Sequence, residues 1–199
     1  MNKLLAGFTG LMMSMSVHAT PIMDTGDELW TFNDIAGTVT NSILIELTAL
    51  ALPNTAKFGI YDGNAPATKA EIFDGGNLVA EYARIEWDAD THVMELFKSV
   101  NGLTWTSIGN SIVPEVLFGF YLEEGGTTFY SQNSLNGGLG YDPLTVVQST
   151  ADSYGLLWDT DNDGAYDNFV ALADDIIPVP VHEPQPLALL ALGLGLLGM

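Results

Sequence analysis

The chain has 199 residues, no cysteine and a formal net charge of −20, with 25 acidic residues against 5 basic ones. Its length is that of one domain with room for short terminal segments. The charge excludes nucleic acid as a partner, because such a field repels phosphate groups. The lack of thiols excludes disulfides and thiolate zinc sites, so we expect stability to come from a hydrophobic core and a hard metal ion.

Residues 1–19 are predicted to be a secretory signal peptide. Lys3 precedes an apolar stretch from Leu4 to Met13, and the small-residue sequence Val17-His18-Ala19 follows. A basic start, about ten apolar residues and a small residue before the cleavage site are typical of such peptides. The alternative is a buried N-terminal helix, but no acidic residue occurs before Asp24. We therefore expect the protein to be exported.

Residues 20–177 are predicted to fold as a single antiparallel β-sandwich, all-β and jelly-roll-like. Segments rich in β-branched and aromatic residues recur about every ten to fifteen residues, with Gly, Asp and Asn between them. A helix competes with a strand for Leu78–Ile85, because neither alternating face of that segment is cleanly apolar. The predicted strands are 42–52, 57–62, 70–76, 78–88, 91–100, a hairpin over 116–132 that turns at Gly125-Gly126, 143–149, 154–159 and 167–176.

An acidic stretch near the end of this domain, "WDTDNDGAYDNFV" from Trp158 to Val170, predicts a calcium site. Its aspartates and Gly164 match positions 1, 3, 5, 6 and 9 of an EF-hand-type loop, in which alternate side chains point inward. Calcium prefers six to eight oxygen ligands at about 2.4 Å, and the glycine allows the chain to reverse sharply. The predicted ligands are the carboxylates of Asp159, Asp161, Asp163 and Asp167 and the carbonyl oxygen of Ala165.

The loop departs from the EF-hand pattern at position 12, where Val170 replaces a bidentate glutamate. Its flanks also resemble strands rather than helices, so the remaining ligands are expected from Asp174, Asp175 or water. The alternative is a solvated Asp/Asn/Gly turn without a metal. Calcium is favoured because three carboxylates within about 5 Å of one another repel unless a cation offsets their charge.

The C-terminal end divides into a Pro-rich spacer, 178–186, and a hydrophobic tail, 187–199. Four prolines in "IPVPVHEPQP" block a helix and favour an extended chain. The tail "LALLALGLGLLGM" carries no charge, and as a helix it would rise only about 20 Å against a hydrocarbon core of about 30 Å.

The order of Glu183-Pro184, an apolar stretch and the chain end resembles the PEP-CTERM sorting tail of exported bacterial proteins. Three segments also resemble a β-rich domain of unknown function found in such proteins: "KFGIYD…EIFDGG", "FGFYLEEGGTTFYSQNSLN" and "GLLWDTDNDGAYDNFVAL". The resemblance implies a secreted or surface-attached structural or adhesive protein of the extracellular matrix of a Gram-negative bacterium. It also implies exopolysaccharide or matrix proteins as partners, processing by an exosortase, and transient membrane contact through the tail.

The sequence predicts no catalytic residues. It contains no Gly-x-Ser-x-Gly elbow, phosphate-binding loop or paired-histidine zinc motif, and His92 is interpreted as a strand-edge residue. A glycosidase would need two carboxylates about 5 to 10 Å apart, and the best candidates are Glu81 or Glu86 with Glu95.

A non-catalytic carbohydrate-binding module is the alternative function. Aromatic side chains can stack on sugar faces, and the chain has four tryptophans. The favoured interpretation is that most of these rings fill the core of the sandwich. The residues concerned are Trp30, Trp87, Trp105 and Trp158.

Overall fold

The fold is given by a computed structural model that describes residues 28–32, 40–47, 55–75, 81–88, 90–91, 93–112, 117–166 and 168–180. The predicted signal peptide (1–19), most of the predicted spacer and the hydrophobic tail (187–199) lie outside these ranges. Among the described residues, no helix has the length and apolar character needed to cross a membrane.

The described ranges contain thirteen β-strands, one short 3-10 helix at Asn133–Leu135 and no α-helix. The strands are β1 (Glu28–Phe32), β2 (Thr40–Leu47), β3 (Lys57–Asp62), β4 (Lys69–Asp74), β5 (Tyr82–Asp88), β6 (Val93–Ser99), β7 (Thr106–Ile112), β8 (Phe118–Glu124), β9 (Thr127–Tyr130), β10 (Leu144–Gln148), β11 (Ser153–Trp158), β12 (Phe169–Asp174) and β13 (Ile176–Pro180).

These strands form two antiparallel sheets. One has six strands in the order β13-β1-β8-β3-β4, with β9 also paired to β8, and the other has seven in the order β10-β11-β12-β2-β5-β6-β7. All the strand pairs are antiparallel. The prediction of an all-β antiparallel sandwich is confirmed.

The core lies between the two sheets and is rich in aromatic rings. Phe32 of the six-stranded sheet stacks on Trp87 of the seven-stranded sheet, with ring centroids 5.8 Å apart. Phe58 and Phe169 meet across the same interface at 4.8 Å. Each fully buried side chain of this size stabilises the fold by roughly 1.5–3 kcal/mol relative to its exposed state. The contacts hold the sheets face to face.

The choice between helix and strand for Leu78–Ile85 falls to a strand for residues 82–85, which belong to β5. Ala83, Ile85 and Trp87 are buried, while the residues between them are half-buried. A period of two residues is the signature of a strand with one face on the core. The strand pattern is weak in the sequence because the buried face includes the small residue Ala83, and the half-buried face includes the aromatic residue Tyr82 beside Arg84 and Glu86.

The folded domain extends three residues beyond its predicted end at residue 177. Strand β13 pairs with β1 as far as Pro180, so residues 178–180 of the predicted spacer belong to the sheet. Proline is tolerated in β13 because, among the described strands, β13 forms an edge of the sheet, where an N–H group that faces outward has no ladder partner to lose. Strands β1, β7 and β13 were not predicted from the sequence.

The outer face of the six-stranded sheet carries a small second cluster around Tyr61, which is fully buried. The Tyr61 hydroxyl donates to Oε1 of Gln132 at 3.0 Å. This contact ties the segment after β9 to the sheet. That segment continues through the 3-10 helix to Tyr141, which lies beside the acidic loop.

Candidate metal centre

The acidic loop, residues 159–168, connects the antiparallel strands β11 and β12. The two strands remain paired up to Trp158, which precedes the loop, and Phe169, which follows it. The backbone amide of Asn168 donates to the carbonyl of Trp158 at 3.1 Å and closes the base of the loop. The hairpin therefore holds both ends of the loop on the rigid seven-stranded sheet.

Asp159, the first acidic residue of the loop, is only 2% exposed. Its Oδ1 accepts a hydrogen bond from the backbone amide of Asn162 at 2.6 Å, and its Oδ2 accepts one from the amide of Gly164 at 3.0 Å. The chain reaches this arrangement because Asn162 and Gly164 take positive φ angles of 58° and 83°, which glycine and asparagine tolerate best. The buried carboxylate thus organises the turn.

The loop brings three carboxylates together. Asp159, Asp161 and Asp163 each offer an oxygen, and these oxygens all lie within 4.8 Å of one another. Two ligands of one calcium ion at about 2.4 Å cannot be more than twice that distance apart, and each pair of these oxygens meets this limit. Asp161 and Asp163 are exposed, so an ion can approach from solvent.

Hydrogen bonds already formed by these carboxylates leave room for a metal. Each carboxylate offers about four lone-pair sites, and Asp159 uses two of them on backbone amides. Asp163 accepts from the amide of Ala165 at 2.8 Å through Oδ1. The same side chains can therefore shape the loop and coordinate a cation.

Residues far away in sequence brace the loop through Thr160. Its hydroxyl donates to Oε2 of Glu124 at 2.8 Å, and its amide donates to Oδ1 of Asn168 at 2.7 Å. The hydroxyl of Tyr141 donates to the Thr160 carbonyl at 3.3 Å. On the other side, the Tyr166 hydroxyl donates to the carbonyl of Asp142 at 3.1 Å. Sequence reasoning missed these contacts.

The pKa of the Tyr141 hydroxyl reports the electrostatics of the loop. Burial raises this pKa above its ordinary value, and the negative charges of Asp159 and Asp161 raise it further. A second anion is disfavoured beside existing ones because like charges at short range repel. The loop thus has the negative potential that attracts a cation.

The other predicted ligands are placed differently. Ala165 lies in the loop, and Asp167 lies outside the described residues. Val170, which stands where an EF-hand has its glutamate ligand, is half-buried in β12. Asp174 and Asp175 lie at the far end of β12, about 17 Å away at the usual rise per strand residue. They lie too far away to complete the site, so loop carbonyls, Glu124 and water are the remaining candidate ligands.

A second acidic region lies on the outer face of the seven-stranded sheet. Glu86 and Glu95 are direct cross-strand neighbours, and together with Asp88, Thr91 and Val93 they line a cavity of about 230 Å³. Glu86 pairs with Nε of Arg84 at 2.9 Å, and Glu95 accepts from the Ser107 hydroxyl at 3.1 Å. These contacts offset part of the repulsion between the two carboxylates. Glu81, the other predicted partner, precedes β5 and is half-buried.

Three of the four tryptophans belong to the core, as the sequence analysis favoured. Trp30 and Trp158 are fully buried, and Trp87 is 4% exposed. Trp105 alone lies half-buried on the outer side, where the guanidinium carbon of Arg84 is 4.9 Å from its ring centroid. Only Trp105 is therefore placed where it could contact a sugar.

Comparison with known proteins finds no counterpart: no family model, curated protein or solved structure matches the chain.

Proposed function

We propose that this chain is an exported, calcium-binding structural or adhesive protein of the bacterial extracellular matrix. The observation that carries the proposal is the convergence of Asp159, Asp161 and Asp163 in one loop of a chain whose net charge is already −20. Three like charges at this separation raise the free energy of the folded state unless a cation offsets them. A hard divalent ion with oxygen ligands suits this set of donors.

Calcium would act here as a clamp between the last strands of the sandwich. The loop joins β11 to β12, and Thr160 links it to Glu124 at the end of β8 in the opposite sheet. An ion that fixes the loop also fixes this connection between the sheets. Without disulfides, such a clamp would favour persistence outside the cell. The role is structural, and it needs no catalytic residue.

Thermal unfolding of the full chain tests the calcium part of the proposal. A ligand that binds only the folded state stabilises it by about 2.7 kcal/mol when its concentration is 100 times Kd. We expect millimolar calcium to raise Tm and a chelator to lower it. Equal melting curves with calcium and with chelator would overturn the proposal.

Cell fractionation tests the exported location. The predicted signal peptide and the PEP-CTERM-like tail are the sequence features that support export and surface attachment. We expect the intact chain in the surface or matrix fraction, and a variant with Lys3→Glu and Leu5→Asp in the cytoplasm, because both changes destroy the signal pattern. Retention of the intact chain in the cytoplasm would contradict the proposal.

A non-catalytic carbohydrate-binding module remains the second candidate, and one observation favours it. Trp105 and Phe97 both contact the guanidinium of Arg84, at 4.9 and 4.7 Å, beside the acidic cavity of the seven-stranded sheet. Aromatic rings and polar groups on one surface suit a sugar. A glycan-array signal that Trp105→Ala abolishes, while Asp161→Asn retains it, would select this function over the calcium-dependent structural one.

A further inference from the structure

The seven-stranded sheet ends at an edge that carries no charge. Strand β7 has the sequence TSIGNSI, and within the described residues it pairs on one side only, with β6. The uncharged segment is longer than the strand, because no charged residue occurs between Lys98 and Glu115. A second uncharged segment, residues 125–141, contains the short strand β9.

The described edges of the six-stranded sheet carry features that oppose pairing with another chain. Charged side chains and prolines are common protections of this kind. The short strand β9 is blocked differently, since the side chain of Asn136 accepts from the Tyr130 amide at 2.7 Å and donates to its carbonyl at 2.9 Å. The protecting residues of the two longer edges are Lys69, Glu71 and Asp74 in β4 and Pro178 and Pro180 in β13.

The opposite edge of the seven-stranded sheet, β10, offers fewer backbone groups for pairing than β7 does. It is five residues long, and its first amide, of Leu144, donates to Oδ1 of Asp142 at 3.0 Å. Strand β7 has seven residues, and like β10 it carries no charge and no proline. Its irregularity is a bulge that leaves Ile108 without an opposite residue in β6. A bulge increases the local twist and can turn part of an edge aside, but it adds no charge and removes no amide.

One large apolar side chain is exposed in β7, and two more are exposed in the turn before it. Val100 is 76% exposed and Leu103 is 85% exposed in the turn between β6 and β7. Ile108, in the bulge of β7 itself, is 42% exposed. An unpaired strand that combines apolar side chains with free backbone groups is a template for adding a further strand.

We propose that β7 pairs with β7 of a second copy of this chain, in an antiparallel dimer related by a twofold axis. A strand is self-complementary in this arrangement, because each copy offers the same donors and acceptors to the other. Two strongly acidic chains repel over most of their surfaces. Strand β7 allows two copies to meet without placing like charges opposite one another. The partner is a copy rather than a basic protein, because the edge offers no charge for a basic protein to recognise.

Cross-linking of a single introduced thiol tests the contact directly. The chain has no cysteine, so Ile108→Cys creates a unique thiol at the proposed interface. Ile177→Cys is the matched control, since Ile177 is also 42% exposed but lies in the proline-containing edge strand β13. Under mild oxidation we expect disulfide-linked dimers of the Ile108→Cys chain and several-fold fewer of the control. Equal yields would overturn the proposal.

Sedimentation of the full chain in the presence of a chelator tests the energetics and excludes calcium bridges between molecules. We expect Ile108→Lys to weaken dimerisation by about tenfold or more, because like charges then meet at the interface. Ile177→Lys should leave it unchanged, and added salt should strengthen the wild-type dimer by screening the overall repulsion. A monomer at every concentration, or equal effects of the two lysines, would contradict the proposal.

Discussion

The side chain of Asp159 accepts a hydrogen bond from the backbone amide of Gly164, five residues further along the chain, at 3.0 Å. A second bond, from the amide of Asn162 at 2.6 Å, uses the other carboxylate oxygen. Asp159 is buried, whereas Asp161 is exposed. The two residues are therefore expected to respond differently to substitution, although both belong to the candidate metal centre.

Replacing Asp159 should destabilise the protein even without calcium. Asp159→Ala leaves the amides of Asn162 and Gly164 without their acceptor, which costs about 1–3 kcal/mol where the groups remain buried. Chemical denaturation with a chelator present measures this loss. Asp163→Ala is the control, since it is exposed and accepts a single amide, so its loss should be smaller. Equal stabilities of the wild type and Asp159→Ala would show that the carboxylate does not organise the loop.

Replacing Asp161 should remove the stabilisation by calcium without destabilising the calcium-free protein. Asp161→Asn keeps the size of the side chain but removes one negative charge from the cluster, so the calcium-free protein should remain folded and become no less stable. The rise in Tm with calcium should disappear. Differential scanning calorimetry with and without calcium measures both quantities. A variant that still gains the wild-type increment would place the ion elsewhere.

The sequence predicts that three aspartates share one loop, but it does not predict the contacts that surround that loop. The alternate spacing of Asp159, Asp161 and Asp163 brings their oxygens together because the residues lie in one short loop. Glu124 lies 36 residues from Thr160, and its contact depends on how the two sheets are packed. No local pattern marks such a residue. Asp174 and Asp175 were considered as ligands from proximity in sequence, but the extended strand β12 carries them away from the loop.

Two glycines of the six-stranded sheet should not tolerate a methyl group. Gly59 and Gly119 lie opposite Tyr121 and Tyr61 in the ladder between β3 and β8. A Cβ on Gly119 would overlap with the buried Tyr61 ring, and one on Gly59 would collide with the Ala70 carbonyl. Gly119→Ala should therefore lower the free energy of unfolding by about 1–3 kcal/mol or more, the usual cost of overpacking.

Gly155→Ala is the matched control for this prediction. Gly155 is also a strand residue, but the nearest atom to its added Cβ is a methyl group of Leu157 at 3.3 Å, which belongs to a flexible side chain. The substitution also reduces the freedom of the unfolded chain, which stabilises by about 0.4–1 kcal/mol at compatible sites. Urea unfolding measures the free energy of unfolding of both variants. A larger decrease for Gly155→Ala than for Gly119→Ala would contradict the packing described for Tyr61.

The pH dependence of stability should change when Asp175 is replaced. Burial raises the pKa of its carboxyl, and the charges of Asp152 and Asp174 raise it further. The folded state then holds the proton more tightly than the unfolded state, so stability falls as pH rises through the titration of this group. The deficit persists at neutral pH. Asp175→Asn should remove it, and the gain should vanish below the ordinary pKa of 3.8.

The expected gain is small, within about 0.5 kcal/mol, because solvent screens a side chain at this exposed position. Asparagine also tolerates the positive φ of 64° that residue 175 adopts. Asp90→Asn controls for the change in net charge, since Asp90 is an exposed acid in the turn after β5. Denaturant unfolding from pH 3 to 7 compares the stabilities of the two variants with that of the wild type. A stability gain of Asp175→Asn that grows toward low pH would contradict the predicted sign.

The strands that the sequence predicts well are those with strong apolar content. The predicted bounds of β3 coincide with Lys57–Asp62 because four consecutive core residues end at an Asp-Gly turn. Strand β7 was missed because its small polar residues and Gly109, with a φ of 125°, resemble a loop. Strand β13 was missed because Pro178 and Pro180 indicate an extended spacer. Their place at a sheet edge depends on tertiary pairing, which local propensity does not encode.

Isothermal titration calorimetry of the full chain with calcium, beside the same titration of Asp161→Asn, gives the sharpest test of the acidic loop. We expect one calcium per chain on the intact protein, weaker binding of magnesium because that ion demands a stricter octahedral shell, and no saturable heat with the variant. Binding of equal strength and stoichiometry to both proteins would contradict the account.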